Sequence, residues 1–282
     1  MLKPVISRPY YHGLGWPDTL RDVRVTLQKS ALAGLEKRVL LDAADRLTGT
    51  TMILIDLSRD IEHKMQVLPN HPQVVITTFS THDEVREAEG YKFSSATMAM
   101  VMGDHAGTHV DAPKHFDAKP GALSIDQMPL ENFFTEAVCL DLSHKPLKSD
   151  ISIDDLQAAE KAAGVTIKPK DTVLLHMDFY RRTHGTPAFI TDFPGLTKES
   201  ATWLGREKKI GMFGVEAVSP GRTGRNNFEV HHVCRDLGFT HMEGLVNLDK
   251  LIGKGRFRFI GFPIKIKGGT GAPIRAVAWL DS

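Results

Sequence analysis

The chain of 282 residues is long enough to bury one large core or two smaller ones. Its 35 basic and 34 acidic residues give a formal net charge of +1, and neither sign is collected in a tail. This balance gives no electrostatic reason to expect nucleic acid or an anionic membrane as a partner.

Nothing at the start of the chain is typical of a secretion signal, because Pro4 and Pro9 interrupt the apolar core that a signal peptide needs. The most apolar run, residues 96–102, is far shorter than the ~20 residues that span a bilayer. Cys139 and Cys234 are too few for a disulfide framework and lie in apolar surroundings, which indicates buried thiols. The sequence therefore predicts a soluble, cytoplasmic protein.

The first 50 residues are interpreted as an N-terminal extension, and residues 51–282 as the main domain. Residues 1–16 have no regular pattern, whereas residues 23–47 repeat leucine and valine at the spacing of an amphipathic helix. A buried strand is predicted over 52–57. Residues 59–95 are irregular for so long a segment, which often indicates a cover over a site. The histidines of that segment, His63, His71 and His82, are interpreted as solvated loop residues.

The most informative stretch follows a predicted strand over 96–102, where three histidines and one carboxylate lie within residues 105–115. His105, His109, Asp111 and His115 all have odd numbers, so a strand with its exit loop would direct them to one face. Imidazole and carboxylate together are ligands of zinc, manganese or iron. Gly107 allows close approach of the backbone, and Pro113 stiffens the exit. The stretch predicts a metal site rather than a histidine-rich surface loop.

The remaining elements alternate between strands and helices. Ser152 and Asp155 form the pattern of a capping box, and Thr197 and either Asn226 or Asn227 are predicted to cap two later helices. Strands are predicted over 134–142, 171–177, 210–218 and 239–245. Near the end, 256–267 and 274–280 are interpreted as a hairpin with a wide glycine-rich turn. The alternation favours an α/β fold with some parallel strands.

A second segment offers ligands to complete the site. His231 lies one turn beyond Phe228 on the predicted buried side of a helix, whereas His232 is rotated ~100° away. Glu243 lies in an apolar strand, where an unpaired carboxylate is costly to bury, and a metal or an imidazole would relieve that cost. The alternative, a carboxylate at the end of the strand facing water, stays open from the residues alone.

These segments resemble the cyclase-like metal-dependent hydrolases, a family that includes bacterial kynurenine formamidase and isatin hydrolase. The resemblance is carried by His-Ala-Gly-Thr-His-Val-Asp-Ala-Pro-Lys-His at 105–115, by the distant His231 and Glu243, and by Gly-Gly-Thr-Gly-Ala-Pro-Ile-Arg at 268–275. Weaker similarities extend over most of residues 52–280. Residues 1–50 and 59–95 exceed the compact formamidases, so the substrate does not carry over, and we expect these segments to form a lid or a subunit contact.

The resemblance implies a swivelling β/β/α-type fold and a homodimer or higher homo-oligomer. It implies that His105, His109 and Asp111 bind one divalent ion, zinc or manganese. Where two ions are present, Asp111, His231 and Glu243 bind the second. His115 would be the acid/base.

The chemistry expected of such a site is hydrolysis. A divalent ion lowers the pKa of bound water towards about 7 and polarises a carbonyl oxygen. Attack of the resulting hydroxide on a small amide, formamide or cyclic amide is the first hypothesis, with His115 exchanging the proton. The second is hydrolysis of a carboxylate-bearing unsaturated lactone, with Arg222 and Arg225 holding the carboxylate. The third is a metal-binding protein without turnover, which the presence of His115 disfavours.

Overall fold

The computed structural model describes residues 52–281, and the predicted helix over 23–47 lies outside them. Contacts group Ile53–Leu280 into one compact unit. The domain boundary predicted at residue 51 stays a prediction. The fifteen strands of the described residues are β1 Met52–Asp56, β2 Val75–Ser80, β3 Val85–Ala88, β4 Tyr91–Ser94, β5 Thr97–Val101, β6 His109–Asp111, β7 Phe134–Asp141, β8 Asp150–Ile151, β9 Thr172–His176, β10 Gly195–Leu196, β11 Met212–Val215, β12 Thr240–Glu243, β13 Phe257–Ile260, β14 Gly271–Pro273 and β15 Val277–Asp281.

Helices lie between these strands. The α-helices are α1 Pro113–Phe116, α2 Ile153–Ala162, α3 Phe179–Thr183, α4 Ala188–Thr191, α5 Lys198–Thr202 and α6 Arg225–Leu237. A π-helical turn, Trp203–Glu207, continues α5, and short 3₁₀ turns occupy Ile125–Gln127, Leu130–Phe133 and Leu248–Leu251. Among residues 52–281, no helix is long and apolar enough to cross a membrane.

A nine-stranded sheet organises the unit in the order β1-β15-β13-β7-β9-β11-β12-β6-β14. Its centre, β7-β9-β11-β12, is parallel, and its flanks are antiparallel. This mixed α/β arrangement confirms the predicted fold class. Both faces of the central strands are buried: Val173 and Leu175 join one apolar cluster, and Leu174 joins the other. Strands covered on both sides are therefore nearly continuous apolar runs.

The predicted capping box at Ser152 and the predicted helix cap at Thr197 are both confirmed. The Ser152 side chain accepts a hydrogen bond from the backbone N–H of Asp155, whose carboxylate accepts one from the Ser152 N–H. Thr197 and Ser200 form the same reciprocal pair at the start of α5. Each box satisfies two backbone donors that a helix start leaves free.

The structure differs from the predicted elements at three points. Helix α6 begins at Arg225, so Asn226 and Asn227 lie inside its first turn, where their side chains accept hydrogen bonds from the preceding loop instead. The two terminal segments pair antiparallel as predicted, β13 with β15, but the turn between them contains a further strand, Gly271–Pro273, which pairs with β6. Residues 59–95 are also less irregular than expected.

The segment from 75 to 101 forms two small two-stranded sheets, β2 with β5 and β3 with β4. The strand predicted over 96–102 is present as β5, and all its residues are exposed. The strand predicted as buried over 52–57 is β1, but its Met52, Ile53 and Leu54 are exposed at the edge of the large sheet. An apolar run predicts a strand but does not distinguish a core strand from an exposed one.

Candidate metal centre

Strand β6 lies between β12 and β14 and sets the position of the site. The antiparallel registers place His109 opposite Glu243 on one side and Asp111 opposite Gly271 on the other. All three residues of β6 are buried. Directly opposed residues on paired strands point to the same face, so the imidazole and both carboxylates meet below the surface.

The turn before β6 carries His105 and orients His109, the first residue of the strand. Gly107 adopts a φ of +72°, in the left-handed region that favours glycine, and its carbonyl lies 3.1 Å from His109 Nδ1. This contact directs His109 Nε2 into the site. His105 Nδ1 lies 2.8 Å from Asp111 Oδ1, and its Nε2 lies 2.9 Å from Thr270 Oγ1. A metal bound to His105 would therefore replace one of these two contacts.

Gly271 packs directly against His105. A β-carbon at this position would lie 2.7 Å from the imidazole Cε1 and 2.9 Å from the Val110 carbonyl oxygen. Only a residue without a side chain fits there, which gives the glycine-rich stretch at 268–271 a physical reason. The Asp104 carboxylate holds the same stretch by accepting hydrogen bonds from the N–H and hydroxyl of Thr270.

His115 reaches the site from α1, not from an extended exit loop as expected. Pro113 occupies the first turn of this short helix, a position where its missing N–H costs nothing. His115 Nε2 lies 3.8 Å from Asp111 Oδ2, and 31% of the side chain is exposed. The four histidine and aspartate side chains of 105–115 do converge, but through a turn, a strand and a helix.

Two histidines come from the second segment. On α6, His231 Nδ1 lies 2.8 Å from the Asn227 carbonyl oxygen, and Nε2 lies 3.8 Å from Asp111 Oδ2. On β12, His241 is fully buried, with Nε2 3.3 Å from Asp111 Oδ2 and 3.2 Å from Glu243 Oε1. Glu243 Oε2 lies 3.5 Å from His109 Nε2, so the carboxylate does not face water.

The electrostatics centre on Asp111. Burial would raise the pKa of this carboxyl, but the imidazoles of His241, His105 and His109 lower it well below the ordinary value. His115 differs, since burial lowers its pKa to about 4 despite the Asp111 charge. At neutral pH the His115 imidazole is therefore neutral and able to accept a proton.

Buried atoms without partners show that a cation fits. Among residues 52–281, His109 Nε2 and Asp111 Oδ2 are buried and have no hydrogen-bond partner. Such groups are costly unless something satisfies them. Two overlapping sets place one ligand atom from each residue within 4.8 Å of the others: His105, His109 and Asp111, and Asp111, His231, His241 and Glu243. Asp111 belongs to both sets and could bridge two ions.

A cavity of about 420 Å³ opens onto these residues. His71, His115 and His231 line it, together with apolar Leu68, Phe116 and Phe228 and polar Asn70, Ser219 and Asn227. His232 and the possible metal ligand Glu243 also line it, but none of its described lining residues is a lysine or an arginine. The cavity therefore offers a partly aromatic surface, without a fixed positive charge, beside the possible metal ligands.

The structure does not bring Arg222 and Arg225 to this cavity. Arg222 forms an ion pair with Asp150, with its Nε 2.5 Å from Oδ1. Arg225 points outwards with 89% of its side chain exposed and pairs with Glu229 one turn along α6. Their predicted role in holding a substrate carboxylate finds no support in this placement, because each guanidinium is already engaged by a carboxylate.

His241 and His71 lie at the site, although neither was predicted to contribute to it. His241 and Glu243 share parity on β12, so the parity that selects the residues of β6 also selects His241. His71 is not a solvated loop residue: it is half-buried, and its ring centroid lies 5.4 Å from that of His105. No spacing in the sequence indicates that contact. Phe228, expected on the buried side of α6, is 65% exposed.

His241→Ala is expected to lower metal affinity by ~10- to 100-fold or more, because it removes a buried nitrogen next to two carboxylates. His232→Ala is the matched control, since His232 lies next to His231 on α6 but is exposed. Metal content by elemental analysis and a competitive chelator titration measure the difference. Equal metal affinity in the two variants would remove His241 from the ligand set.

Comparison with known proteins agrees with this geometry. Residues 55–222 match the family model described as putative cyclase. The chain is 28% identical over 228 residues to a kynurenine formamidase of Salinibacter ruber, covering 80% of this chain and 97% of that protein. It is 29% identical over 266 residues to an isatin hydrolase of Roseibium aggregatum, covering 89% and 97%. A solved isatin hydrolase with a bound product analogue, thioisatinate, superimposes with a TM-score of 0.72 at 25% identity, covering 89% of this chain and 100% of that one.

Proposed function

This chain belongs to the cyclase family and is a hydrolase, and on that premise we propose that it cleaves the carbonyl–nitrogen bond of a small amide, formamide or cyclic amide with the help of divalent metal. The observation that carries the proposal is the pair of ligand sets sharing Asp111, whose Oδ2 is buried without a hydrogen-bond partner in the described chain. The metal, zinc or manganese, would supply an acidified water and polarise the carbonyl.

The residues of the chain have separate tasks in this proposal. Asp111, Glu243, His109, His231 and His241 would hold the metal, and His105 would either join them or keep Asp111 oriented through its 2.8 Å contact. The fit rests on donor chemistry, because imidazole and carboxylate are the ligands that zinc and manganese accept.

His115 would move the proton. It lies at the cavity, outside both ligand sets, and its neutral imidazole accepts a proton as water attacks the carbonyl. Returning that proton to the departing nitrogen completes the hydrolysis. His71, on the wall of the same cavity, would contact the substrate rather than the metal.

The cavity favours neutral aromatic substrates. Phe116 and Phe228 offer apolar surface to a planar ring, while Asn70 and Asn227 offer hydrogen bonds. The lactone alternative needed a cationic clamp from Arg222 and Arg225, and both are paired with carboxylates elsewhere. We therefore do not propose it. Assembly into a homodimer or higher homo-oligomer stays a prediction.

Activity should require metal and prefer neutral amides. After chelation we expect activity to fall to background and to return with Zn²⁺ or Mn²⁺. The metal-loaded enzyme should show a higher kcat/KM for an aryl formamide or isatin than for a carboxylate-bearing unsaturated lactone. The control is chelated protein from which the chelator has been removed by dialysis and to which no metal is added back. Preference for the lactone would contradict the substrate assignment, and full activity in the metal-free protein would contradict the mechanism.

A further inference from the structure

A second cavity, of about 480 Å³, lies at the carboxyl ends of β9 and β11, and none of the possible metal ligands is among its described lining residues. His176 is the last residue of β9, and Glu216 directly follows β11. These strands are parallel neighbours in the centre of the sheet. In α/β sheets, the crevice beyond the carboxyl ends of parallel strands is a common ligand site. The proposed hydrolysis assigns no role to these residues.

Two buried polar atoms at this cavity lack partners. Arg59 and His176 both line it, and each is only 7% exposed. Arg59 Nε and His176 Nδ1 are buried, and neither has a hydrogen-bond partner among residues 52–281. A buried donor without an acceptor destabilises the protein, because it has lost its hydrogen bonds to water without replacing them. A ligand carrying acceptor atoms would remove that cost.

The charges at the buried end are unequal. Glu216 Oε2 lies 3.5 Å from His176 Nδ1 and also accepts hydrogen bonds from the N–H groups of Met177 and Phe179. Burial alone would lower the pKa of His176, but the nearby Glu216 carboxylate raises it by more, so the pKa of His176 is raised. The charges of His176 and Glu216 therefore balance each other.

Arg59 has no such partner. Its guanidinium lies 4.8 Å from the centre of the Phe189 ring and 5.6 Å from that of Tyr180. Burial lowers its pKa more than Tyr180 and the exposed Glu62 raise it. One cation is therefore left incompletely compensated at the buried end of the cavity, where an anionic group would be most strongly attracted.

The exposed rim has the opposite sign. Asp60 and Asp249 are exposed residues of the lining, and the exposed Arg181, which also lines the cavity, is already engaged by Asp178. The cavity is thus positive at its buried end and negative at its rim. A simple anion would meet repulsion at the rim, and a simple cation would meet repulsion at the floor.

We propose that this cavity binds a small zwitterion of the α-amino-acid type, with its carboxylate at Arg59 and its ammonium group near Asp60 and Asp249. A volume of about 480 Å³ accommodates such a molecule. The carboxylate supplies the acceptor that Arg59 Nε lacks, whereas His176 keeps the Glu216 carboxylate as its partner. The proposal does not depend on the proposed hydrolysis, because the residues involved are separate from the metal ligands.

Isothermal titration calorimetry on the full-length, metal-loaded protein tests it with three matched probes. L-Leucine carries both charges, 4-methylpentanoate lacks the amino group and 3-methylbutylamine lacks the carboxylate. We expect one site for leucine, with a Kd about tenfold or more below that of either analogue. Arg59→Gln should weaken leucine binding by ~10- to 100-fold, as expected for hydrogen bonds to a charged group.

Asp249→Asn should weaken binding by ~2- to 5-fold, as for an exposed ion pair, and it keeps the proposal testable if Arg59→Gln does not fold. Glu131→Gln, which neutralises an exposed carboxylate outside the cavity, is the control and should leave the leucine Kd unchanged. Leucine binding should also persist after chelation, when hydrolysis is lost. The proposal is overturned if 4-methylpentanoate binds as tightly as leucine, if no probe binds saturably, or if Asp249→Asn behaves like the control.

Discussion

Asp111→Asn should lose both bound metal and activity. Asp111 belongs to both ligand sets, and its Oδ2 lies within 3.8 Å of nitrogens of His115, His231 and His241. The amide keeps the shape but removes the negative charge. A metal contributes several kcal/mol of transition-state stabilisation, so the expected loss of kcat/KM is about 10³-fold or more. Elemental analysis and steady-state kinetics on the same preparation measure both effects.

The matched control is Asp154→Asn, because Asp154 is exposed in the first turn of α2. It should keep metal and full activity. A complete metal complement in Asp111→Asn would show that the ligand assignment is wrong, since no other described carboxylate belongs to both sets.

His115→Ala should separate catalysis from metal binding. His115 lies 3.8 Å from Asp111 Oδ2 but outside both ligand sets, and its ring centroid lies 4.1 Å from that of His105 at the cavity wall. Removing a positioned proton-transfer group typically costs ~10²- to 10⁴-fold in rate. We therefore expect kcat to fall by that factor while metal content is unchanged.

His144→Ala serves as the control, because His144 is exposed and does not line the metal-site cavity. It should have no effect on kcat. Loss of metal together with activity in His115→Ala would instead make His115 a ligand. Retained activity in His115→Ala would transfer the proton-transfer role to another residue, with His71 the next to test because it lines the same cavity.

Local patterns carried much of what could be predicted. The capping boxes at Ser152 and Thr197 depend on residues three apart, so they could be recognised without any tertiary contact. The choice of His231 over His232 combined the rotation per residue of a helix with Phe228 as a marker of the buried side. Phe228 is exposed, but the structure still places His231 near Asp111 and leaves His232 exposed. The α/β fold class followed from alternating strands and helices, whose signals repeat along the chain.

Patterns that depend on exposure or on strand pairing were less informative. Strand β5 is apolar yet exposed, and the ion pair of Arg222 with Asp150 joins residues 72 positions apart. The sequence does not show which carboxylate an arginine side chain will contact, so it cannot distinguish an arginine available to a substrate from one paired within the protein. For this reason the predicted substrate contacts of Arg222 and Arg225 could not be decided from the sequence.

The sequence by itself determined the chemistry of the site, because the spacing of His105, His109, Asp111 and His115 and the apolar setting of Glu243 are local properties of the chain. Only the tertiary structure decided how these groups meet. Pairing of β6 with β12 sets Glu243 opposite His109 and brings His241 to Asp111, while pairing of β6 with β14 places Gly271 against His105. The physical reason is that strand register is fixed by packing and hydrogen bonds between segments more than a hundred residues apart, which no local periodicity encodes.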